Sequence, residues 1–579
     1  MSAQTNLHMR WAARIVAALA EAGVAHAVVS PGSRSTPLTL ALADDRRVAL
    51  HVVLDERSAA FVALGIARAS GRPAAVVATS GTAPAHWYPA VIEASESGVP
   101  LVLLSADRPW EAQHAASPQT IDQAHLFGRY ARRFVDVGAP TASDEALRAL
   151  SRAVTEALSR SRSPEPGPVH LNARFRKPLE PRALACDPVG DAASIALSAP
   201  AVRLITPRAS VAPSELAPVV ELLASTERGL IAAGPMPLGA AACADALGAL
   251  ASRAGFAVYA EATSQLRRDL GEGVVTAPHL DLLLRAGALP DDALPEVIVE
   301  IGAPPVASSW SSLLDRTGAG RIVVCERGVP DPRGDARVVV QGDVAETLRA
   351  LADASPARGA SRFARAWREL SARARAAVEA ARPTGEAEIA RAAAQAAGAD
   401  ALFLVGNSTP VRDVDTWAPF PTPGAGVLHQ RGASGIDGLV AQAVGATIGA
   451  GRPVVALLGD LTFLHDASSL ASLALAAAPL TIVVVDNGGG RIFDELPIAR
   501  AGRADFERLV TTPQRVDPAA LAAAYGVSLT RARGGDELRA ALADSRMTAP
   551  RVVWADAAPG SATAARARAV AALTAGGAR

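Results

Sequence analysis

The sequence predicts an α/β protein built from three doubly wound parallel-sheet domains. Three observations lead there. Short apolar runs alternate with helix-length segments along the chain, as repeated strand–helix–strand units require. Runs such as those at 454–458 and 481–485 are continuously apolar, which is how strands covered on both faces read. The 579 residues divide into three or four domains at roughly 150 residues each. Half of the residues are hydrophobic and 20% are charged, which is ample for buried cores.

Taken in order, Asn6 can cap a helix running to about Ala22, with Gly23 as its stop. A strand at 26–29 leads into Ser-Pro-Gly-Ser-Arg-Ser-Thr-Pro at 30–37, where Thr36 and Pro37 read as N-cap and first residue of the next helix. Strands follow at 49–54, 74–78 and 100–105. An open parallel sheet of this kind binds ligands beyond its strand C-termini. A Pro-rich stretch at 163–168 precedes a strand at 169–172, and 178–200 has the composition of a linker. A second α/β unit runs from about Leu204 to Leu351, with strands at 229–233, 256–260, 296–301 and 321–325. A helical connector rich in Ala and Arg covers about 360–381, and a third unit begins near Thr384. The expected domains are 1–185, 200–355 and 382–579. Their similar sizes make them candidates for distant duplicates.

Composition excludes several classes of function. The formal net charge is zero and no basic stripe stands out, so nucleic acid is not an expected partner. Cys186, Cys243 and Cys325 are scattered, with no metal or redox spacing, which suits a reducing cytoplasm. Arg10, Arg14 and Glu21 interrupt the apolar residues of the N-terminus, which does not read as a signal peptide. The apolar stretch 467–485 is split by Pro479 into a helix and a strand, so no stable membrane insertion is expected.

The most informative pair is Asp460 and Asn487, 27 positions apart and each at the end of an apolar run. The Ala/Leu-rich segment between them is long enough for one helix. Strand–helix–strand places two parallel strands side by side, so their C-terminal tips meet. A carboxylate, an amide oxygen and the backbone carbonyl of Gly489, completed by two diphosphate oxygens and a water, would surround Mg²⁺, with Mn²⁺ an alternative. The plainer reading is that Gly-Asp and Asp-Asn-Gly are ordinary strand-end turns. Asp486 has no assigned role.

The Gly-Asp to Asn spacing resembles the thiamine diphosphate motif. Glu56, in Asp55-Glu56-Arg57 after the strand at 49–54, then supplies the carboxylate that thiamine chemistry needs at the aminopyrimidine N1′. Its plainer reading is a helix-start acid beside Arg57. Further runs at 30–37, 55–59, 79–83, 106–109, 119–123, 406–408 and 431–438 extend the match over nearly the whole chain. With them the chain resembles the 2-succinyl-5-enolpyruvyl-6-hydroxy-3-cyclohexene-1-carboxylate synthase family, menaquinone-pathway transferases of the thiamine diphosphate superfamily. The runs at 30–34 and 431–438 separate this family from acetolactate synthases and simple 2-oxoacid decarboxylases.

The resemblance implies thiamine diphosphate and Mg²⁺ as cofactors, with 2-oxoglutarate and isochorismate as substrates. It implies loss of CO₂ and 1,4-addition of the remaining four-carbon unit to isochorismate. It assigns Ser33, Arg34, Arg108 and Gln119 to isochorismate or the adduct. Ser408, Arg412 and Arg431 would hold carboxylates derived from 2-oxoglutarate. Ile436 would support the bent cofactor, and Ile492, Phe493 and Leu496 would line an apolar wall, with Ile492 and Phe493 also against the cofactor. A homo-oligomer with active sites between subunits is implied. Taken singly, each Arg reads as a solvated charge and each apolar residue as core.

One departure stands out. Where the family often carries Lys or Lys-Arg in the middle domain, this chain has Ser308 and Ser309. The charges are then absent or supplied by Arg267, Arg268 or Arg285. Two other readings stay open: a carboligase or decarboxylase with another 2-oxoacid and acceptor, and a catalytically silent metabolite-binding protein.

Overall fold

The computed structural model describes residues 6–141, 143–181, 204–207, 209–358, 361–419, 426–543 and 548–575. Cys186 and most of the expected linker lie outside the described residues. Among those described there are three six-stranded sheets in which every pairing is parallel. The first sheet contains β1 (His26–Val29), β2 (Ala49–Val52), β3 (Ala74–Ala78), β4 (Leu101–Asp107), β5 (Arg133–Asp136) and β6 (Val169–Arg174), ordered β2-β1-β3-β4-β6-β5. The second contains β7 (Gly229–Ala233), β8 (Ala257–Ala260), β9 (Val275–Thr276), β10 (Val297–Ile301), β11 (Gly320–Cys325) and β12 (Ala336–Gln341), ordered β12-β11-β10-β7-β8-β9. The third contains β13 (Leu402–Val405), β14 (Val427–His429), β15 (Val454–Gly459), β16 (Leu480–Asp486), β17 (Ser528–Ala532) and β18 (Arg551–Asp556), ordered β14-β13-β15-β16-β18-β17.

Local signals set the early elements. Asn6 caps the helix Leu7–Glu21, accepting from the Met9 N–H at 3.0 Å. The next helix, Thr36–Asp44, starts one residue earlier than predicted. Ser33–Ser35 forms a 3₁₀ turn, Ser35 takes the N-cap position and Pro37 falls in the first helical turn. The connector helix spans Arg362–Ala380. The segment between β15 and β16, expected as one helix, is instead a short helix, Asp460–His465, followed by a 3₁₀ stretch, Ala467–Leu475. Asp466 causes the break. Its buried carboxylate turns to accept from the Val440 N–H (2.8 Å), the Ala441 N–H (3.1 Å) and the Ser469 hydroxyl (2.6 Å). Those two N–H groups are orphan donors at the start of the helix Leu439–Ala450. Burial pushes the Asp466 carboxyl up to about 6. No helix among the described residues is long and apolar enough to cross a membrane.

The chain divides into two compact units. The first comprises Met1–Pro207, Gln430–Gly451 and His465–Ala478; the second comprises Arg208–His429, Arg452–Leu464 and Pro479–Arg579. The first unit holds the first sheet, and the second unit holds the other two. In the second unit the Gln265 side chain joins both sheets by pairing with β14. Its Oε1 accepts from the Val427 N–H at 3.0 Å and its Nε2 donates to the Val427 carbonyl at 2.7 Å.

In the first unit the helix Glu56–Ser70 packs on Leu439–Ala450 through glycine. A Cβ at Gly65 would run into the Gln442 carbonyl, one at Gly445 into the Val62 carbonyl, and one at Gly449 into the Ile66 carbonyl. Backbone cannot yield as a flexible side chain can, so this crossing needs hydrogen at all three positions. Gly445→Val should therefore destabilise by about 3 kcal/mol, at the upper end of overpacking costs. Gly71→Ala, in open space but at φ +68°, should cost about 1 kcal/mol from backbone strain alone. Thermal unfolding of the two variants measures the difference, and equal losses would refute the close crossing.

Candidate active site

The register of the third sheet brings Asp460 and the glycine loop at 488–490 together. Gly459 lies beside Val485 in the β15–β16 pairing, so both strands end level and their loops converge. Asp460 Oδ2 accepts from the Gly489 N–H at 2.8 Å, and Oδ1 accepts from the Leu461 N–H at 2.7 Å. Burial raises the Asp460 carboxyl above its ordinary value, against those two donors, with nearby Asp486 adding to the rise. The loop itself depends on glycine. Gly488 and Gly489 have φ of +79° and +110°, and a Cβ on Gly489 would strike the Thr511 carbonyl. That same carbonyl accepts from the Gly490 N–H at 2.7 Å. Asp486 acts as a strut, accepting from the Trp554 indole at 2.8 Å and from the Gly488 N–H at 3.3 Å.

Asn487 is buried, and its Nδ2 donates to Glu386 Oε1 at 2.7 Å, which leaves Oδ1 as the end of the amide for a cation. Asp460 carboxylate, Asn487 Oδ1 and the Gly489 carbonyl form an all-oxygen donor set beside a glycine loop. This fits a hard divalent cation holding a diphosphate. The glycine loop continues into the 3₁₀ turn Arg491–Glu495. There Phe493 is 37% exposed, and Leu496 just beyond is 44% exposed, so neither is core; Ile492 is partly buried.

In the first unit Glu56 opens the helix Glu56–Ser70. Its neighbours have structural duties. Asp55 caps the helix, accepting from the Arg57 N–H at 2.9 Å, and takes the Ser468 hydroxyl at 2.7 Å. Burial works to raise the Asp55 carboxyl, but these donors outweigh it and hold it below its usual value. Arg57 donates to the His465 carbonyl at 3.2 Å. Partly exposed Glu56 takes part in none of these bonds.

Beyond the strand tips of the first sheet, four loops gather. Buried Gln123 ties its own loop to the loop at Gly81 and to the ends of β4 and β6: its Oε1 accepts from the Gly81 N–H (3.0 Å), and its Nε2 donates to the Ala106 carbonyl (3.2 Å) and Asn172 Oδ1 (3.0 Å). Arg108 Nη2 reaches the Pro118 carbonyl at 3.0 Å and Gln119 Oε1 at 3.5 Å. Gln119 holds φ +57° and accepts from the Ser80 hydroxyl at 3.0 Å. Arg34 is buried, with its N–H on Thr79 Oγ1 at 3.2 Å and Nη1 on the Phe175 carbonyl at 2.5 Å. The Nε atoms of Arg34 and Arg108 are buried without an acceptor among the described residues. Ser33 is exposed at the start of its turn. Arg431 and Ile436 belong to this same unit. Glu93 holds the loop after Arg431 through the N–H groups of Gly432 (3.1 Å) and Ala433 (2.7 Å), and is itself held by Arg68 at 2.7 Å.

Ser408 lies in the second unit, at φ +71° in the N-cap position of the helix Thr409–Trp417, yet its hydroxyl makes no capping bond. A non-glycine residue there stores about 1–3 kcal/mol of strain, a pattern common at ligand clamps. Arg412 Nη1 donates to the Ser408 carbonyl at 2.7 Å. Arg267 is not a replacement cation for the Ser308–Ser309 departure. It is fully buried and bonded to Asp415 Oδ1 at 3.1 Å and to the Asp415 carbonyl at 2.6 Å. Arg285 does stand at Ser308, donating to its hydroxyl at 2.6 Å, but it also pairs with Asp281 at 2.7 Å and lies 3.6 Å from Glu495. Glu386 and Glu93 carry no motif in the sequence, and Gln123, though inside the matched run 119–123, has no role assigned to it there. Only burial of a polar side chain beside a functional loop reveals them.

Comparison with known proteins identifies the family. The family model described as thiamine pyrophosphate enzyme, N-terminal TPP binding domain, matches residues 9–126, and its C-terminal TPP binding domain counterpart matches 420–554. A 2-succinyl-5-enolpyruvyl-6-hydroxy-3-cyclohexene-1-carboxylate synthase of Sorangium cellulosum is 45% identical over 557 residues, covering 93% of this chain and 91% of the relative. The enzymes of that name from Myxococcus xanthus and Geobacillus kaustophilus are 42% and 40% identical, covering 94% and 92% of this chain and 93% and 92% of the relatives. A solved structure from Mycobacterium smegmatis, described as a thiamin diphosphate-dependent enzyme, superposes with a TM-score of 0.70 at 19% identity over 96% of this chain and 100% of that one, a likeness of fold. The chain belongs to the 2-succinyl-5-enolpyruvyl-6-hydroxy-3-cyclohexene-1-carboxylate synthase family of thiamine diphosphate enzymes.

Proposed function

We propose that this chain decarboxylates 2-oxoglutarate and adds the resulting four-carbon unit to isochorismate, forming 2-succinyl-5-enolpyruvyl-6-hydroxy-3-cyclohexene-1-carboxylate in menaquinone biosynthesis. The chief support is 45% identity to an enzyme of that name across 93% of the chain. Thiamine diphosphate, when bound, supplies the nucleophilic carbon for C–C bond formation. Asp460, Asn487 Oδ1 and the Gly489 carbonyl would hold Mg²⁺ with the diphosphate. Glu56 would serve as the acid–base carboxylate for the aminopyrimidine, and Ile436, Ile492 and Phe493 would line the cofactor site.

Ser408, Arg412 and Arg431 bind the carboxylates of 2-oxoglutarate, for which a fixed guanidinium fork is suited. Ser33, Arg34, Arg108 and Gln119 receive isochorismate, and the unsatisfied Nε atoms of the two arginines favour a carboxylate there. Ile492, Phe493 and Leu496 keep water from the reacting carbons. By family resemblance the enzyme is a cytoplasmic homo-oligomer with its sites completed between subunits.

The overall reading is tested by supplying 2-oxoglutarate with and without isochorismate. CO₂ release beyond a single turnover should require isochorismate, and turnover indifferent to it would point to another acceptor. Glu56→Gln should lower kcat by about 10² to 10⁴, the range for a lost acid–base group, with cofactor affinity nearly unchanged by calorimetry. Arg412→Ala should raise KM for 2-oxoglutarate by about 10- to 100-fold, the range for a hydrogen bond to a charged group, and that for isochorismate much less.

A further inference from the structure

We infer that Glu386 is a positioning residue that fixes which end of the Asn487 amide faces the metal. The inference rests on the reading of Asn487 as a Mg²⁺ ligand. A side-chain amide has two ends of nearly equal shape, and only its oxygen can bind a cation. An Asn able to rotate must be turned oxygen-inward by the cation itself, at a cost in affinity. Glu386 removes that freedom, because its carboxylate at 2.7 Å accepts from Nδ2 and would repel Oδ1.

Glu386 is itself immobilised. It is buried in the first turn of the helix Glu386–Ala397. Its carboxylate also accepts from the Ala562 N–H, and its own N–H donates to Ser561 Oγ at 3.2 Å. The preceding Gly385, at φ +62°, has no room for a Cβ against the Ser561 side chain. The start of the last helix, Ser561–Ala575, thus anchors Glu386, and Glu386 anchors Asn487. The Asn487 backbone is fixed separately, its carbonyl accepting from Arg491 Nε at 3.2 Å. Partners that orient a metal ligand in this way typically contribute about 10- to 100-fold to metal affinity.

The test is a Mg²⁺ titration of full-length protein stripped of cofactor and divalent cations. Thiamine diphosphate binding is read by calorimetry, and thermal unfolding of the stripped protein serves as control. Glu386→Met keeps an unbranched side chain but removes the acceptor. It should raise the half-saturating Mg²⁺ concentration by about tenfold or more. In an Asn487→Asp background there is no NH₂ to orient, and Glu386 only repels a second carboxylate. There Glu386→Met should leave the Mg²⁺ requirement unchanged or lower it. If Glu386→Met does not fold, Glu386→Ala is used with the same expectations. A folded variant whose Mg²⁺ requirement matches wild type, or one that shifts it equally in both backgrounds, overturns the positioning role. Wild-type protein that binds the cofactor without any divalent cation overturns the metal reading as well.

Discussion

The level ending of β15 and β16 is the constraint on which the rest of the diphosphate end depends. Parallel neighbours in register must finish together, so a carboxylate after one and an amide after the other come to the same edge of the sheet without any long-range coincidence. The 2.8 Å bond from the Gly489 N–H to Asp460 is the direct trace of that register. Once the tips converge, the connecting backbone has little space. The close approach of Gly489 to the Thr511 carbonyl, which leaves no room for a Cβ, follows from this crowding, and Gly488 and Gly489 both take positive φ in the same loop.

Irregular loops leave backbone N–H groups without strand or helix partners, and buried ones need an acceptor. This chain answers repeatedly with a buried carboxylate from a distant part of the sequence. Glu93 serves Gly432 and Ala433, Asp466 serves Val440 and Ala441, and Glu261 accepts from the Val306 N–H at 2.6 Å. Such carboxylates need compensating donors or cations. Asp413 shows the strain of the arrangement: burial pushes its carboxyl up to about 7 despite Arg566 at 3.0 Å. Removing a cation from such a pair would leave a charge with nowhere to go, so these residues tolerate change poorly although none touches substrate.

The strands buried on both faces were legible because continuous apolar runs need no partner to be recognised. Edges were not. β5 reads Arg-Phe-Val-Asp and β17 reads Ser-Leu-Thr-Arg-Ala, and with one side open their composition is set by solvent as much as by the sheet. The helix expected between β15 and β16 failed for a tertiary reason, since Asp466 gives up the local helix to serve another. Residues in contiguous motifs, such as Asp460, Asn487 and Arg108, were legible. Glu386 and Glu93 were not, because each acts on a loop more than 100 positions away and carries no local pattern.

Topology also limits how far the three domains can be copies. Numbered within each sheet, the first and third share the order 2-1-3-4-6-5, while the middle one runs 6-5-4-1-2-3. Read from its other edge this is 3-2-1-4-5-6, the order of doubly wound dinucleotide-binding sheets. Sliding strands cannot convert one order into the other; the crossovers must connect differently. The likeness in size that suggests duplication therefore extends to connectivity only for the outer pair. In the middle sheet the order reverses between β7 and β10, where such folds leave a crevice for a ligand. Here the two loops are laced together. The Ala303 N–H donates to the Pro235 carbonyl at 3.3 Å, and Gly234 has room only for hydrogen against the Ala303 carbonyl. The middle domain thus keeps the order of a nucleotide-binding sheet, with the loops after β7 and β10 in direct backbone contact at its switch point.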